Sequence, residues 1–232
     1  MRSLSDPFRA LILGATGTIG GALVQALRDM PQCAQVVGLG RQTSPSIDLT
    51  SETSLRNAAQ SLATMAPFQL ILDATGALSI DGQGPEKRLD QCMPDLMAKS
   101  FELNAIGRAL VLKHFTPLLP KHERSLFGVL SARVGSIEDN RLGGWYSYRS
   151  SKAAGNMILQ TAAIELHRTK PQAVFAALQP GTVASKLSAA FNKGHPLTEP
   201  SIAAKGLLMA IDRLHAKGSA WFVDFQGEEI PW

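Results

Sequence analysis

The feature that most constrains the fold of this chain is a regular alternation of short apolar runs with longer segments of helical periodicity. Six apolar runs have the length and composition of buried strands, at residues 8–13, 35–39, 69–72, 125–131, 173–178 and 220–225. Between them, apolar residues recur with helical spacing at 18–30, 51–65, 89–119, 146–167 and 200–214. The alternation predicts an α/β fold, a doubly wound parallel sheet with helices on both faces.

Composition and domain organisation agree with this fold class. No linker, repeat or low-complexity segment interrupts the alternation, so the sequence predicts a single domain over residues 1–232. Hydrophobic residues make up 45% of the chain and charged residues 18%, which suits a packed core and argues against disorder. The net charge is +4, but Lys and Arg are scattered and form no basic tract, which argues against nucleic-acid binding.

The N-terminal sequence and the cysteines bear on where the chain works. The stretch MRSLSDPF lacks the apolar core of a signal peptide, and no apolar run approaches the roughly 20 residues that span a bilayer. Cys33 and Cys92 are too few for a disulfide framework, and neither they nor the histidines have metal-ligand spacing. We therefore expect a cytoplasmic protein with no membrane partner and no metal site.

A glycine-spaced turn follows the first predicted strand, in LILGATGTIGGAL. Gly14, Gly17 and Gly20 recur every third residue, and a helical segment follows at once. In a Rossmann-type βαβ unit such glycines let the backbone approach a pyrophosphate, while the helix N-terminus supplies N–H donors and positive potential. A tight turn without a ligand is the alternative, because a glycine triplet alone is a weak signal. The position after the first strand of an alternating pattern favours the nucleotide.

Polar and glycine-containing segments also follow the other predicted strands. Ligands of doubly wound sheets bind beyond the carboxyl ends of the strands, so segments that are distant in sequence meet in one crevice there. The segments expected to meet are Gly40-Arg41, Asp73-Ala74-Thr75-Gly76, Ser131 and Pro180-Gly181-Thr182-Val183.

The residues after the second predicted strand indicate which nucleotide is bound. An Asp or Glu there would hydrogen-bond a ribose 2′-hydroxyl and repel a 2′-phosphate, but no carboxylate occurs in residues 36–46. Arg41 offers a planar fork that suits a phosphate, and Thr43 and Ser44 offer hydroxyl donors. The sequence therefore predicts NADP(H) as the cofactor. A solvated turn arginine is the alternative for Arg41.

Tyr148 and Lys152 stand four residues apart in GGWYSYRSSKAAGNM and share one face of the predicted helix 146–167. We expect the Lys152 ammonium to lower the pKa of the phenol, which would make Tyr148 a proton donor and acceptor near neutral pH. The spacing alone is common and usually marks a solvated helix face. Tyr146 is a weaker candidate, because the residue four positions further on is Ser150.

Taken together, these motifs and Asn104 in LNAIG resemble the short-chain dehydrogenase/reductase family, in that family's order and over nearly the whole chain. The stretch SARVGSIEDNRLGGWYSYRSSKAAGNM and the ending GEEIPW resemble more narrowly its C-factor-like, cell–cell signalling members. The resemblance implies an oxidoreductase that moves a hydride between NADP(H) and a small carbonyl or alcohol substrate. It also implies a homodimer or homotetramer, built on the helices at 89–119 and 146–167.

The resemblance assigns catalytic roles to matching positions. Tyr148 is expected to be the general acid and base, and Lys152 to bind the nicotinamide ribose while it tunes Tyr148. Asn104 is expected to hold a water that relays protons through Lys152. The family's paired serines at the end of the strand at 125–131 are replaced here by Ser131-Ala132. Ser131 is the preferred catalytic serine, and Ser136 is the alternative.

The resemblance also assigns the cofactor contacts. Asp48 and Leu49, after a short third strand, are expected at the adenine, and Val183 and Ser185 at the nicotinamide carboxamide. The remaining contacts, besides Arg41, Thr43, Ser44, Tyr148 and Lys152, are expected at Gly14, Thr16, Gly17, Thr18, Ile19, Gly20, Ala74, Thr75, Gly76, Pro180 and Gly181.

Two further positions depart from the family pattern. The glycines run G-x-x-G-x-x-G, whereas the usual short form is G-x-x-x-G-x-G, so the middle glycine has moved by one place. Asp73 stands where an Asn usually begins the loop after the strand at 69–72.

A second function stays open: a nicotinamide-binding signalling or regulatory protein with little turnover. An intact Tyr148 and Lys152 favour the enzyme, because binding alone does not need the phenol.

Overall fold

The computed structural model describes residues 1–184 and 197–232. The described residues contain one sheet in which every neighbouring pair of strands is parallel, in the order β2-β1-β3-β4-β5-β6. The strands are β1 Phe8–Leu13, β2 Cys33–Leu39, β3 Leu70–Asp73, β4 Ser125–Leu130, β5 Ala173–Gln179 and β6 Trp221–Asp224. Each lies within one or two residues of a predicted apolar run.

Helices cover both faces of the sheet, which confirms the doubly wound α/β class. They are α1 Thr18–Arg28, α2 Glu52–Ser61, α3 Pro94–Phe101, α4 Gly107–Phe115, α5 Tyr146–His167 and α6 Pro200–Arg213. One core lies between the sheet and α1 and α6, with Leu23 and Leu207 among its buried residues. The other lies between the sheet and α2, α4 and α5, with Leu55 and Leu159 among them. No helix in the described part of the chain is long and apolar enough to cross a bilayer.

The predicted helix at 89–119 is divided into several pieces, which corrects the expectation of one mainly continuous element. A 3₁₀ turn covers Leu89–Gln91, and Pro94 opens α3, where its missing N–H costs nothing. A π-helical turn at Glu102–Ile106 then separates α3 from α4. Apolar periodicity does not reveal such a turn, because the extra residue is absorbed without breaking the apolar face.

The short third strand expected before Asp48 is absent. Residues 40–51 form turns, closed by the Thr43 hydroxyl, which donates to the carbonyl oxygens of Gly40 and Pro45 at 3.0 and 2.7 Å. Pro45 has no backbone N–H to offer a ladder. β2 is therefore the edge strand at this side of the sheet.

The strand order places the topological switch point between β1 and β3. The chain leaves β1 toward β2 on one side and enters β3 on the other, so the loops after β1 and β3 diverge and leave a crevice at their carboxyl ends. This crevice is the position that the sequence predicts for the nucleotide.

Candidate active site

A cleft of about 510 Å³ opens at the carboxyl edge of the sheet. It brings together residues from five separate parts of the chain. Its walls include Ile19 of α1, the loop after β3 with Ala74, Thr75 and Gly76, Ser131 after β4, Tyr148 and Lys152 of α5, and Pro180, Gly181 and Val183 after β5. The predicted catalytic pair and the predicted cofactor contacts that follow β3 and β5 therefore meet in one place.

Two glycines of the turn after β1 are required by close backbone approaches. Gly14 has a φ of +81°, and a Cβ there would lie 2.8 Å from the carbonyl group of Ala74. A Cβ on Gly20 would lie 2.1 Å from the carbonyl oxygen of Gly14, so α1 can approach the turn only without a side chain. Gly17 is the N-cap of α1, and no side chain caps the helix. The first turn of α1 thus keeps N–H donors for a ligand in the cleft.

The end of β2 lies against the same turn. A Cβ on Gly40 would lie 2.7 Å from the hydroxyl of Thr16, so the two loops are in contact. Arg41 and Ser44 are exposed beside this contact. The Thr43 hydroxyl is held within its own loop, where it also accepts from the Gly40 N–H at 2.9 Å. Arg41 follows Gly40 directly and is exposed to solvent, and its contact with a phosphate stays a prediction.

Asp48 and Leu49 lie in the turns before α2, and each has contacts within the protein. The Asp48 carboxylate accepts from the backbone N–H and the hydroxyl of Thr50 at 2.9 and 2.8 Å, and these hydrogen bonds lower its pKa. Leu49 packs against Gly107, where a Cβ would lie 2.9 Å from the Leu49 Cβ. Both residues lie at the same edge of the sheet as Arg41, and their contact with adenine stays a prediction.

Asp73 shapes the loop after β3. Its buried carboxylate accepts through Oδ1 from both the backbone N–H and the hydroxyl of Thr75. An Asn at this position would accept in the same way, so the departure from the family pattern leaves the turn unchanged and adds a negative charge. Gly76 follows with a φ of +132°, and a Cβ there would lie 3.0 Å from Asn104 Oδ1 and 3.1 Å from Lys152 Nζ.

Asn104 lies in the π-helical turn, which points its side chain at the loop after β3. Its Oδ1 accepts from the Ala77 N–H at 2.9 Å, and its Nδ2 donates to the Ala77 carbonyl at 2.8 Å and to Ser151 Oγ at 3.2 Å. The amide therefore clamps the loop directly. The predicted water relay stays a prediction, and these hydrogen bonds assign the side chain a structural task.

Tyr148 and Lys152 lie on one face of α5, as their spacing predicts. Lys152 Nζ is 5.6 Å from the centre of the Tyr148 ring and donates to the Leu130 carbonyl oxygen at 3.2 Å. Burial raises the pKa of Tyr148 to about 12 and lowers the pKa of Lys152 to about 7. The cation that lowers the pKa of Tyr148 against this effect of burial is Arg108. The sequence-based expectation had given this task to Lys152.

Arg108 is a site residue that sequence reasoning missed. It lies in the first turn of α4, is 2% exposed, and donates from Nη2 to the Leu130 carbonyl at 2.7 Å. Arg108 stands four residues after Asn104 and directly before the apolar stretch ALVL at residues 109–112. This position was a usable signal, because a cation on the buried face of a helix needs a reason.

Glu86 is a second missed residue, and it positions the start of α5. Its carboxylate accepts from both the backbone N–H and the hydroxyl of Ser147, immediately before Tyr148. This side chain comes from a loop 61 residues away and caps the helix that carries the predicted catalytic pair. Nothing in the local sequence around Glu86 signals such a long-range cap.

The structure separates the two candidate serines. Ser131 lines the cleft with Tyr148 and Lys152, and its hydroxyl donates to Asn156 Oδ1 at 2.7 Å. Ser136 lines a different cavity of about 250 Å³, where its Oγ accepts from the Asp139 N–H at 3.0 Å. The geometry favours Ser131 for contact with a substrate in the cleft. Ser185 lies outside the described residues.

Comparison with known proteins gives relatives along the whole chain. No family model matches the sequence. The 1-hydroxy-2-glutathionyl-2-methyl-3-butene dehydrogenase of Rhodococcus sp. (strain AD45) is 30% identical over 234 residues, which cover 96% of this chain and 98% of the relative. The C-signal protein of Myxococcus xanthus is 34% identical over 138 residues, 59% of this chain and 78% of the relative.

Solved structures agree on the fold. A putative short-chain dehydrogenase/reductase from Burkholderia multivorans, crystallised with bound NADP, superposes with a TM-score of 0.82 at 21% identity. The superposition covers 98% of this chain and 100% of that one. The doubly wound sheet and its order of elements are therefore shared over the whole length.

Proposed function

The chain belongs to the short-chain dehydrogenase/reductase family, and on this premise we propose that it is an NADP(H)-dependent oxidoreductase acting on a carbonyl or alcohol substrate. The observation that carries the proposal is the cleft itself, where Tyr148, Lys152 and Ser131 share walls with the segments after β1, β3 and β5. A binding protein would need the loops, but it would not need a phenol and an amine beside them.

The residues of the cleft fit a dinucleotide with a 2′-phosphate. The glycine turn and the uncapped start of α1 suit the pyrophosphate, and Arg41 suits the 2′-phosphate. Pro180, Gly181 and Val183 line the other end of the cleft, where the nicotinamide would lie against Tyr148. When bound, the nicotinamide supplies or accepts the hydride.

The chain's own residues manage the proton. With a pKa of about 12, Tyr148 carries its proton at neutral pH and can donate it from the phenol oxygen to a substrate carbonyl oxygen. Lys152 Nζ, now bound to the Leu130 carbonyl, would bind the nicotinamide ribose. Ser131 would polarise the same substrate oxygen, for which its hydroxyl must turn from Asn156 toward the cleft.

The cleft favours an apolar substrate. Leu78, Val134, Leu142 and Trp145 line it on the side of Tyr148, and Leu142 is 93% exposed at its mouth. We therefore propose aldehydes, ketones or quinones with an apolar body as the substrate class.

The self-association that the family resemblance implies also has support in the structure. Ile106, Met157 and Ile164 are exposed around α4 and α5, the helices expected to form the dimer face. We propose a homodimer or homotetramer built on them.

The test measures turnover of a panel of apolar aldehydes, ketones and quinones. The reaction is monitored by the absorbance of NADPH, and the same panel is run with NADH in parallel. Turnover with NADPH supports the enzyme. The similarity to C-signal favours one other candidate, a nicotinamide-binding signalling protein. Tight NADPH binding by fluorescence, without turnover of any carbonyl in the panel, would select that candidate and overturn the enzyme.

A further inference from the structure

One buried cation beside the catalytic pair has no place in the chemistry proposed above. The guanidinium of Arg108 is buried, and within residues 1–184 and 197–232 no carboxylate lies close enough to form an ion pair with it. Replacing buried ionic groups by hydrophobic residues of similar size often leaves protein stability unchanged or raises it. A buried cation without a paired anion therefore calls for a functional reason.

The Leu130 carbonyl oxygen joins Arg108 to Lys152. It accepts from Arg108 Nη2 at 2.7 Å and from Lys152 Nζ at 3.2 Å. Because both nitrogens bind the same atom, they lie at most about 6 Å apart, a range in which like charges disfavour each other strongly in a protein interior. The close approach depends on Gly155, where a Cβ would lie 2.7 Å from the Asn104 carbonyl oxygen and 3.4 Å from Arg108 Cδ.

The charged and titratable groups around Lys152 come from three elements. Arg108 faces it from α4, Asp73 from the end of β3, and Tyr148 from α5 itself. Burial and then Arg108 lower the pKa of Lys152, and Asp73 raises it. Arg108 also lowers the pKa of Tyr148 against the larger effect of burial. The guanidinium thus acts in the same direction on both members of the pair.

We propose that Arg108 is a positioning residue that provides the fixed positive charge of the site and favours the proton-free forms of both Lys152 and Tyr148. The effect on Tyr148 rests on the function proposed above, and the effect on Lys152 does not. In carbonyl reduction the phenol O–H bond breaks and its proton forms the new O–H bond on the substrate, while the hydride comes from NADPH. Arg108 would stabilise the phenolate that remains until solvent returns a proton.

The first test measures Lys152 in the cofactor-free full-length chain, without any turnover. Acetylation by a trace of acetic anhydride at a series of pH values, read by peptide mass spectrometry against an internal standard, reports the unprotonated fraction of each lysine. Arg108→Gln keeps a donor for the Leu130 carbonyl and removes the charge. We expect its labelling midpoint for Lys152 to rise by about one pH unit or more, which makes labelling at pH 7 at least about fivefold slower.

Matched variants separate charge from packing. Arg124→Met removes a different arginine, which is only partly buried and donates to the Asp212 and Leu214 carbonyls at the opposite end of β4. This variant should leave the midpoint unchanged. Arg108→Lys keeps the charge and should stay closer to wild type than Arg108→Gln. Asp73→Asn keeps the acceptor for Thr75 and should move the midpoint downward.

A folded Arg108→Gln variant with an unchanged midpoint overturns the proposal. If that variant does not fold, an unchanged midpoint in Asp73→Asn overturns it, because the charges around Lys152 then do not control its protonation. Where a substrate is known, the pH profile of kcat/KM should shift to higher pH in Arg108→Gln as well. A labelling shift without turnover would refute the enzyme and leave only the effect of Arg108 on Lys152 standing.

Discussion

Replacing Gly20 by Ala tests why the turn after β1 is built from glycines. A Cβ at Gly20 would lie 2.1 Å from the Gly14 carbonyl oxygen, so that carbonyl or the start of α1 has to move by about 1 Å to restore an ordinary contact. The same carbonyl accepts from the Gly17 N–H at 3.0 Å, so its displacement distorts the whole turn.

Gly21→Ala is the matched control, because its Cβ would meet Ala15 O at an ordinary 3.5 Å. Both variants gain helix propensity, about 1 kcal/mol relative to Gly. The close contact at Gly20 costs about 1–3 kcal/mol as overpacking, and this is the expected difference in stability between the two variants. It corresponds to a difference in Tm of about 2–4 °C per kcal/mol for a chain of this size.

Thermal unfolding by circular dichroism and fluorescence titration with NADPH provide the assay. We expect Gly20→Ala to melt below Gly21→Ala and to bind NADPH about tenfold more weakly or worse, whereas Gly21→Ala binds within about twofold of wild type. Equal melting and equal binding of the two variants would refute the account of the turn.

Two other predictions concern the cofactor and the serine. Arg41→Ala should reduce the preference for NADPH over NADH by about 30–150-fold in kcat/KM, since a charge-assisted phosphate contact is worth about 2–3 kcal/mol. A wild-type preference for NADH, or unchanged discrimination in the variant, would exclude Arg41 as the contact for the 2′-phosphate. Ser131→Ala should slow turnover far more than Ser136→Ala, because Ser131 alone of the two lines the cleft with Tyr148. The reverse ranking in steady-state kinetics would reassign the catalytic serine.

The sequence predicts the sheet and most helices of this fold because apolar patterning is a direct consequence of burial. β1 and α5 begin and end where the periodicity places them. The π-helical turn around Asn104 could not be predicted, since it inserts backbone without changing the apolar face. The absence of the short third strand could not be predicted either, because it depends on hydrogen bonds by which the Thr43 side chain closes its own loop.

The arrangement of the candidate site was predictable where it depends on local spacing and not where it depends on long-range contacts. Tyr148 and Lys152 follow from four residues of separation on one helix. The cap from Glu86 and the shared use of the Leu130 carbonyl by Arg108 join segments that only the folded chain brings together. The pKa of Tyr148 likewise depends on burial, which a sequence motif does not report.

The most direct test of the central claim is a comparison of Tyr148→Phe with Tyr146→Phe, which together cover both tyrosines of the chain. The assay is NADPH-dependent reduction of a carbonyl that the wild type accepts, with NADPH affinity measured on the same samples. We predict that Tyr148→Phe loses about 10²–10⁴-fold or more in kcat and keeps its NADPH affinity within a few-fold, whereas Tyr146→Phe stays near wild type. Turnover by a folded Tyr148→Phe variant at a rate comparable to wild type would contradict the account.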